Sequence, residues 1–84
     1  MNTISKDIFR SIHEGKWLYV EYQNSDDEKT KYWISINNIN IEKKSLEVTG
    51  LHLGNFTTKN LFMFVDKILA TQIMDGTFYH TNKT

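Results

Sequence analysis

Residues 61–74 constrain the fold more than any other part of the chain. Two runs of mostly apolar residues, 61–65 and 68–74, lie on either side of the polar pair Asp66 and Lys67. Runs this short that are rich in aromatic, Ile and Val residues predict β-strands. Because only two residues separate them, we predict that the strands turn sharply into each other and form the closing pair of a small β-barrel.

The first residues of the chain predict one short amphipathic helix. Its apolar side chains recur at the three- and four-residue spacing of a helical face. These residues are Ile4, Ile8, Phe9 and Ile12. Thr3 or Ser5 can cap the first turn, and Gly15 is placed to end the helix because glycine readily adopts the left-handed backbone of a helix C-terminus.

Strand patterns fill the rest of the chain. Residues 17–22 predict a first strand, and residues 31–36 alternate as a second strand that ends or bulges near Asn37. A third strand follows the charged turn at 42–45, with Gly50 marking a bend or bulge. The predicted fold class is α+β, mainly β: an N-terminal helix, then a five-stranded, strongly bent antiparallel sheet that closes as a small barrel. The alternative is an open antiparallel sheet with the helix across one face.

Size and composition indicate one domain without disulfide bonds. The chain has 84 residues, no cysteine and a formal net charge of zero, so it generates no strong field toward polyanions. We expect one domain over residues 1–78 and a polar tail over 79–84, or the start of a linker to a downstream region. With no signal peptide and no apolar run long enough for a membrane span, we expect a cytoplasmic protein and no membrane partner.

No catalytic motif is visible. The four glycines are isolated, which excludes a phosphate-binding loop, and neither a nucleophile elbow nor a helical metal motif occurs. The three histidines have no ligand-like spacing. We therefore expect no catalytic residues, no metal and no cofactor.

Several segments resemble one bacterial family in the type and order of their residues. They are the 18–22 strand ending in tyrosine, the basic Lys31 that starts strand two, and the Asp66-Lys67-Ile68 step. This order resembles WYL domains. Members of that family are small Sm-like β-barrels, often attached to DNA-binding, helicase or nuclease parts, and are thought to bind nucleic acids or nucleotide-like ligands.

A second resemblance concerns residues 12–17 and 32–34, which look like the N-terminal leader of large bacterial helicase-type ATPases. The resemblance implies a non-catalytic accessory or regulatory module, with the ATP-dependent motor in a downstream region. The chain departs from the WYL pattern at two places. Leu61 and Phe64 stand where the family tends to carry arginines, and residues 45–48 lack the tripeptide after which the family is named. Arginine supplies charge and forked donors for phosphates, so we expect docking against a downstream domain or regulation.

The alternative is a ligand module for single-stranded nucleic acid or a nucleotide-like ligand. Its candidate binding residues are Lys31, Trp33, His52, Lys59 and Lys67. A homodimer through edge strands also remains open.

Alternation places three aromatic side chains on one strand face, away from Leu18 and Val20. They are Trp17, Tyr19 and Trp33. Exposed, they would form a base-stacking platform. We favour a second interpretation, in which the helix residues Ile8, Phe9 and Ile12 cover them as a further core layer, because small domains rarely leave so much aromatic area unused.

Overall fold

A computed structural model describes residues 3–24 and 28–74. The predicted tail at 79–84 and the end of the predicted domain at residue 78 lie outside these ranges. The elements are α1 (Thr3–Glu14), β1 (Leu18–Gln23), β2 (Lys29–Asn40), β3 (Ser45–His52), β4 (Thr58–Phe64), a 3-10 helix (Val65–Lys67) and β5 (Ile68–Ile73). The predicted order, one helix followed by five antiparallel strands, is confirmed.

Helix α1 ends where the sequence predicts. Gly15 has a φ of 66°, a left-handed conformation that costs other residues more than glycine. Its N–H donates to the carbonyl of Ile12 at 3.4 Å, and the N–H of Lys16 donates to the carbonyl of Ser11 at 3.0 Å. This pair of bonds is a Schellman motif, which satisfies carbonyls that the last helical turn leaves open.

The strands form one antiparallel sheet in the order β4-β3-β2-β1-β5. Leu18 lies opposite Ile34 in the β1–β2 ladder and opposite Ile73 in the β1–β5 ladder. Between β2 and β3 the register shifts from Ile36 to Asn38, which confirms the bulge predicted near Asn37. The extra residue, Asn37, lies in β2, and a bulge bends the strand that carries it.

The predicted barrel closure is not supported, because β4 and β5 lie at opposite ends of the strand order. Only the 3-10 helix Val65–Lys67 joins them. A flat five-stranded sheet would be about 19 Å wide, whereas three extended residues span about 10 Å. The sheet must therefore curl, and within the described ranges it stays open between β4 and β5.

The core lies on one face of the sheet. It contains the helix residue Ile8 and side chains from all five strands: Leu18, Val20, Ile34, Leu46, Val48, Met63 and Ile68. Helix α1 packs mainly against β5, and the Thr71 hydroxyl donates to the Asp7 carboxylate at 2.7 Å.

Since Tyr19 and Trp33 alternate with core residues, they lie on the other face. The interpretation that the helix covers them is wrong.

Candidate functional site

The face opposite the core carries a row of large side chains across three strands. Tyr19 lies directly opposite Trp33, and Trp33 lies directly opposite Leu51. All three side chains are partly buried, so they pack on one another as well as facing outward. Tyr19 and Trp33 belong to the predicted base-stacking platform, and we call this pair the outer aromatic row.

One carboxylate partly offsets the two lysines beside the outer aromatic row. Lys31 lies opposite Glu21, and the Lys29 ammonium lies 3.4 Å from a Glu21 carboxylate oxygen. The Tyr19 hydroxyl donates to the other Glu21 oxygen at 2.9 Å. The pKa of Glu21 is lowered, chiefly by this hydrogen bond and to a smaller extent by Lys29. The partial burial of Glu21 acts in the opposite direction and raises the pKa. The carboxylate therefore offsets the basic character that a polyanion site needs.

His52 is held by its own turn. Its Nδ1 accepts hydrogen bonds from the backbone N–H groups of Gly54 at 3.0 Å and Asn55 at 3.3 Å. Its ring meets Tyr32 edge to face, with centroids 5.3 Å apart. Only Nε2 is left for a ligand, and the residue organises the β3–β4 turn.

The five predicted binding residues do not line one surface. Lys31 and Trp33 share the outer face of β2, and Lys31 and His52 both border a concavity of about 370 Å³. Lys59 pairs with buried Gly50 and therefore belongs, like His52, to the core-side face. Lys67 lies in the 3-10 helix.

An apolar groove separates α1 from the β2–β3 turn and the 3-10 helix. We call it the helix groove; it encloses about 360 Å³ and its apolar lining consists of Ile8, Phe9, Ile39, Ile41 and Val65. Ile8 is buried, whereas Phe9 is 47% exposed and Ile41 is 73% exposed. Lys44 and Asp66 also line it, so the charged groups at the groove are one cation and one anion.

Local turn chemistry places Ile41 at this groove. The Asn40 side-chain oxygen accepts from the Lys43 N–H at 3.0 Å, and the Lys44 N–H donates to the Ile41 carbonyl at 3.3 Å. Lys44 has a φ of 53°. The tight turn holds Ile41 out of the core. In the sequence, the only local signal for this position is an isoleucine beside a charged turn, and the position was not predicted.

Strand β4 presents a second exposed apolar surface at the edge of the sheet. Phe62 is 69% exposed and Phe64 is 49% exposed, whereas Met63 between them is buried. The two phenylalanines border a concavity of about 420 Å³ whose polar lining is Asn38, Asn40, Lys43, Ser45 and Glu47. The sequence indicated this surface, because residues 61–65 are apolar at every position.

In the described part of the chain, no group of three or more His, Asp or Glu side chains could hold a metal ion. No helix in those same ranges combines the length and apolar character that crossing a bilayer requires.

Comparison of the chain with protein-family models and with curated protein sequences finds no match.

Proposed function

We propose that this domain is a non-catalytic docking module of a larger bacterial nucleic-acid-processing protein of the helicase-type ATPase class. The helix groove is the surface that binds another domain of that same protein. The observation that carries the proposal is the exposure of Phe9 and Ile41 on either side of a groove with the buried Ile8 in its lining. Buried anchors seated in such pockets provide most of the binding energy at protein interfaces.

The groove selects an apolar partner. Its apolar lining residues outnumber the charged pair Lys44 and Asp66, whose charges offset each other. The exposed Ile12, 41% accessible and one helical turn beyond Phe9, extends the apolar surface along α1. Full burial of a side chain such as Phe9 or Ile41 is worth about 1.5–3 kcal/mol. A partner domain that inserts one or two apolar side chains into the helix groove therefore gains more binding free energy than a polar or charged partner.

The fold is consistent with an opened variant of the Sm-like barrel, which is the architecture that the WYL resemblance implies. Two observations support this part of the proposal: β4 and β5 follow each other through a three-residue 3-10 helix, and β5 pairs with β1 instead of β4. Backbone coordinates from a crystal structure that superpose on Sm-like barrels would support it, and a flat sheet would refute it.

A titration in trans tests the docking function. The 84-residue domain is mixed with the separately produced remainder of the parent protein, and heat release gives the dissociation constant. We expect Phe9→Ser to weaken binding at least about tenfold, the equivalent of about 1.4 kcal/mol. The matched control is Phe56→Ser, because Phe56 is 72% exposed but lies in the β3–β4 turn. Undetectable binding, a reading frame that ends at Thr84, or an equal effect of both variants would refute the proposal.

A second candidate function is binding of single-stranded nucleic acid or a nucleotide-like ligand. The observation that favours it is that α1 packs on the core face, which leaves the outer aromatic row of Tyr19 and Trp33 uncovered by the helix. Stacking on such a row is worth about 1–3 kcal/mol per base. Because Glu21 lies opposite Lys31, electrostatic attraction to the backbone is weak, and stacking must provide most of the affinity.

Fluorescence titration with short single strands at several salt concentrations tests this candidate. Binding that falls at least about fivefold on Trp33→Ala, an energy of about 1 kcal/mol, would support it, whereas Phe9→Ser would leave it unchanged. No binding at low salt would exclude it without affecting the docking proposal.

A further inference from the structure

The register of the β3–β4 ladder determines which backbone groups of β4 face outward. The N–H of His52 donates to the Thr57 carbonyl at 2.8 Å, and the N–H of Val65 donates to the Lys44 carbonyl at 2.8 Å. Hydrogen-bonded and non-hydrogen-bonded pairs alternate between these two points in an antiparallel ladder. The residues of β4 that bond β3 are therefore Lys59, Leu61 and Met63, each opposite an even-numbered residue of β3. The other residues point their N–H and C=O groups away from the sheet.

Those outward groups belong to Thr58, Asn60, Phe62 and Phe64. The N–H of Phe64 is already bonded to the Tyr22 hydroxyl at 3.0 Å, which ends the free edge at that side. For the other three N–H groups, no partner is found in the part of the chain that the structure describes. Within residues 3–24 and 28–74, the result is a short edge of three alternate residues whose outward N–H and C=O groups have no partner.

The opposite edge of the sheet is protected. In β5 the register against β1 shifts between Glu21 and Tyr22, and such bulges disrupt regular strand addition. Helix α1 also packs mainly on β5. Within the described ranges, strand β4 has neither a bulge nor a covering helix, and its pairing with β3 is regular. Phe62 on this strand is exposed, and Lys59 is its single charged residue.

We infer that β4 is a self-association site, at which two copies of this chain pair β4 against β4 in antiparallel orientation about a two-fold axis at Asn60. The free edge has the symmetry that this pairing needs. With Asn60 opposite its equivalent in the second copy, Phe62 lies opposite Thr58 of that copy, and all three free residues bond in both directions. The two five-stranded sheets then form one continuous sheet.

Charge and contact chemistry agree with this register. Lys59 lies opposite Leu61 of the second copy, so the two lysines are not directly paired, and like charges directly opposite would be unfavourable. The exposed Phe62 side chain becomes partly buried against the second copy's strand. A register centred on Leu61 is worse, because it would place Thr58 opposite Phe64, whose N–H is occupied by Tyr22.

Proline substitution at the centre of the edge tests the inference by sedimentation equilibrium at up to millimolar protein. Asn60→Pro removes the outward N–H and leaves the β3 ladder bonds intact. Asn60→Ala is the matched control, because it keeps that N–H while losing the same side-chain bond from Thr49, whose hydroxyl lies 3.1 Å from the Asn60 oxygen. We expect a dimer whose dissociation constant rises at least about tenfold for Asn60→Pro and less than about threefold for Asn60→Ala.

If Asn60→Pro does not fold, Phe62→Lys serves in its place, since a lysine on a free edge opposes strand addition. Leu69→Lys, on the β5 edge, is then the control that retains the dimer. A monomer at millimolar concentration, a ring or polymer in place of a dimer, or equal effects of test and control variants would each overturn the inference.

Single cysteines test the register, because the natural chain has none. Hydrogen-bonded antiparallel pairs hold Cα atoms about 5.5 Å apart, within the range that disulfides accept. Asn60→Cys should therefore cross-link the dimer on mild oxidation. Phe62→Cys should cross-link at least about tenfold more slowly, since its equivalent lies four residues away, about 13 Å. Faster cross-linking of Phe62→Cys would overturn the two-fold axis at Asn60.

Discussion

The hydroxyl of Tyr22 accepts a hydrogen bond from the backbone N–H of Phe64 at 3.0 Å, across 42 residues of sequence. This bond joins β1 to the last residue of edge strand β4, although two other strands, β3 and β2, lie between them in the sheet order. It helps to hold the sheet in its curled shape and satisfies an N–H that points away from β3.

We expect Tyr22→Phe to lower the free energy of unfolding by about 1 kcal/mol, because the Phe64 N–H loses its partner. Urea denaturation measures the loss, and hydrogen exchange should show faster exchange of the Phe64 amide. Tyr32→Phe is the control, since no hydrogen bond of the Tyr32 hydroxyl is found among the described residues, and it should change stability by less than about 0.5 kcal/mol. Equal effects of the two variants would contradict the role of Tyr22.

Ser11 is buried in α1, 2% exposed, and within the described ranges its hydroxyl has no hydrogen-bond partner. We expect Ser11→Ala to stabilise the domain by about 1 kcal/mol, because it removes an unsatisfied buried hydroxyl and improves helix propensity. Chemical denaturation monitored by circular dichroism measures the change. Destabilisation would mean that the hydroxyl is satisfied in solution, for instance by a buried water.

Gly15 ends α1 in a left-handed conformation with a φ of 66°. We expect Gly15→Ala to lower stability by about 1 kcal/mol, because a Cβ is disfavoured at this φ. A Cβ there would meet nothing within 4 Å, so any loss reports backbone strain and not a clash. Gly15→Asn should recover part of the loss, since asparagine tolerates this conformation better than alanine. Unchanged stability of the alanine variant would contradict the assignment.

The pair Tyr19 and Glu21 predicts a dependence of stability on pH. The Tyr19 hydrogen bond lowers the pKa of Glu21 below its ordinary value of 4.5. A carboxyl whose pKa is lowered by folding stabilises the fold above that ordinary value, and the contribution is lost as the pH falls through the folded pKa. We expect Tyr19→Phe to raise the pKa of Glu21, measured by NMR titration of its side-chain carboxyl carbon. An unchanged pKa would show that Lys29 dominates instead.

Periodicity predicted the elements well because each is locally determined. The spacing of apolar residues in α1, the Gly15 stop and the bulge at Asn37 are all properties of neighbouring residues, and all are confirmed. Gly50 was predicted to mark a bend or bulge, and the bulge is wrong, since β3 passes through Gly50 without a register shift. A Cβ at Gly50 would lie 3.2 Å from the Leu61 Cδ1, so the glycine is explained by close packing across strands.

Nonlocal relations were harder to predict. Alternation divides Leu18 and Tyr19 between two faces but does not say which face the helix covers, and the choice made from the sequence was wrong. Similarly, the short link between β4 and β5 suggested pairing, whereas both strands end the sheet. The helix groove escaped prediction because it joins Phe9 to Ile41, two residues that no local pattern relates.

Methyl NMR of Ile41 tests the docking proposal most directly. Spectra of the isoleucine-labelled domain are recorded alone and with the remainder of the parent protein added. If the helix groove binds that remainder, the Ile41 methyl shifts and shows contacts to methyl or aromatic protons of the partner, and Phe9→Ser reduces both effects at the same partner concentration. An Ile41 methyl that stays unchanged while the remainder binds through Trp33 or Phe62 would contradict docking at the groove.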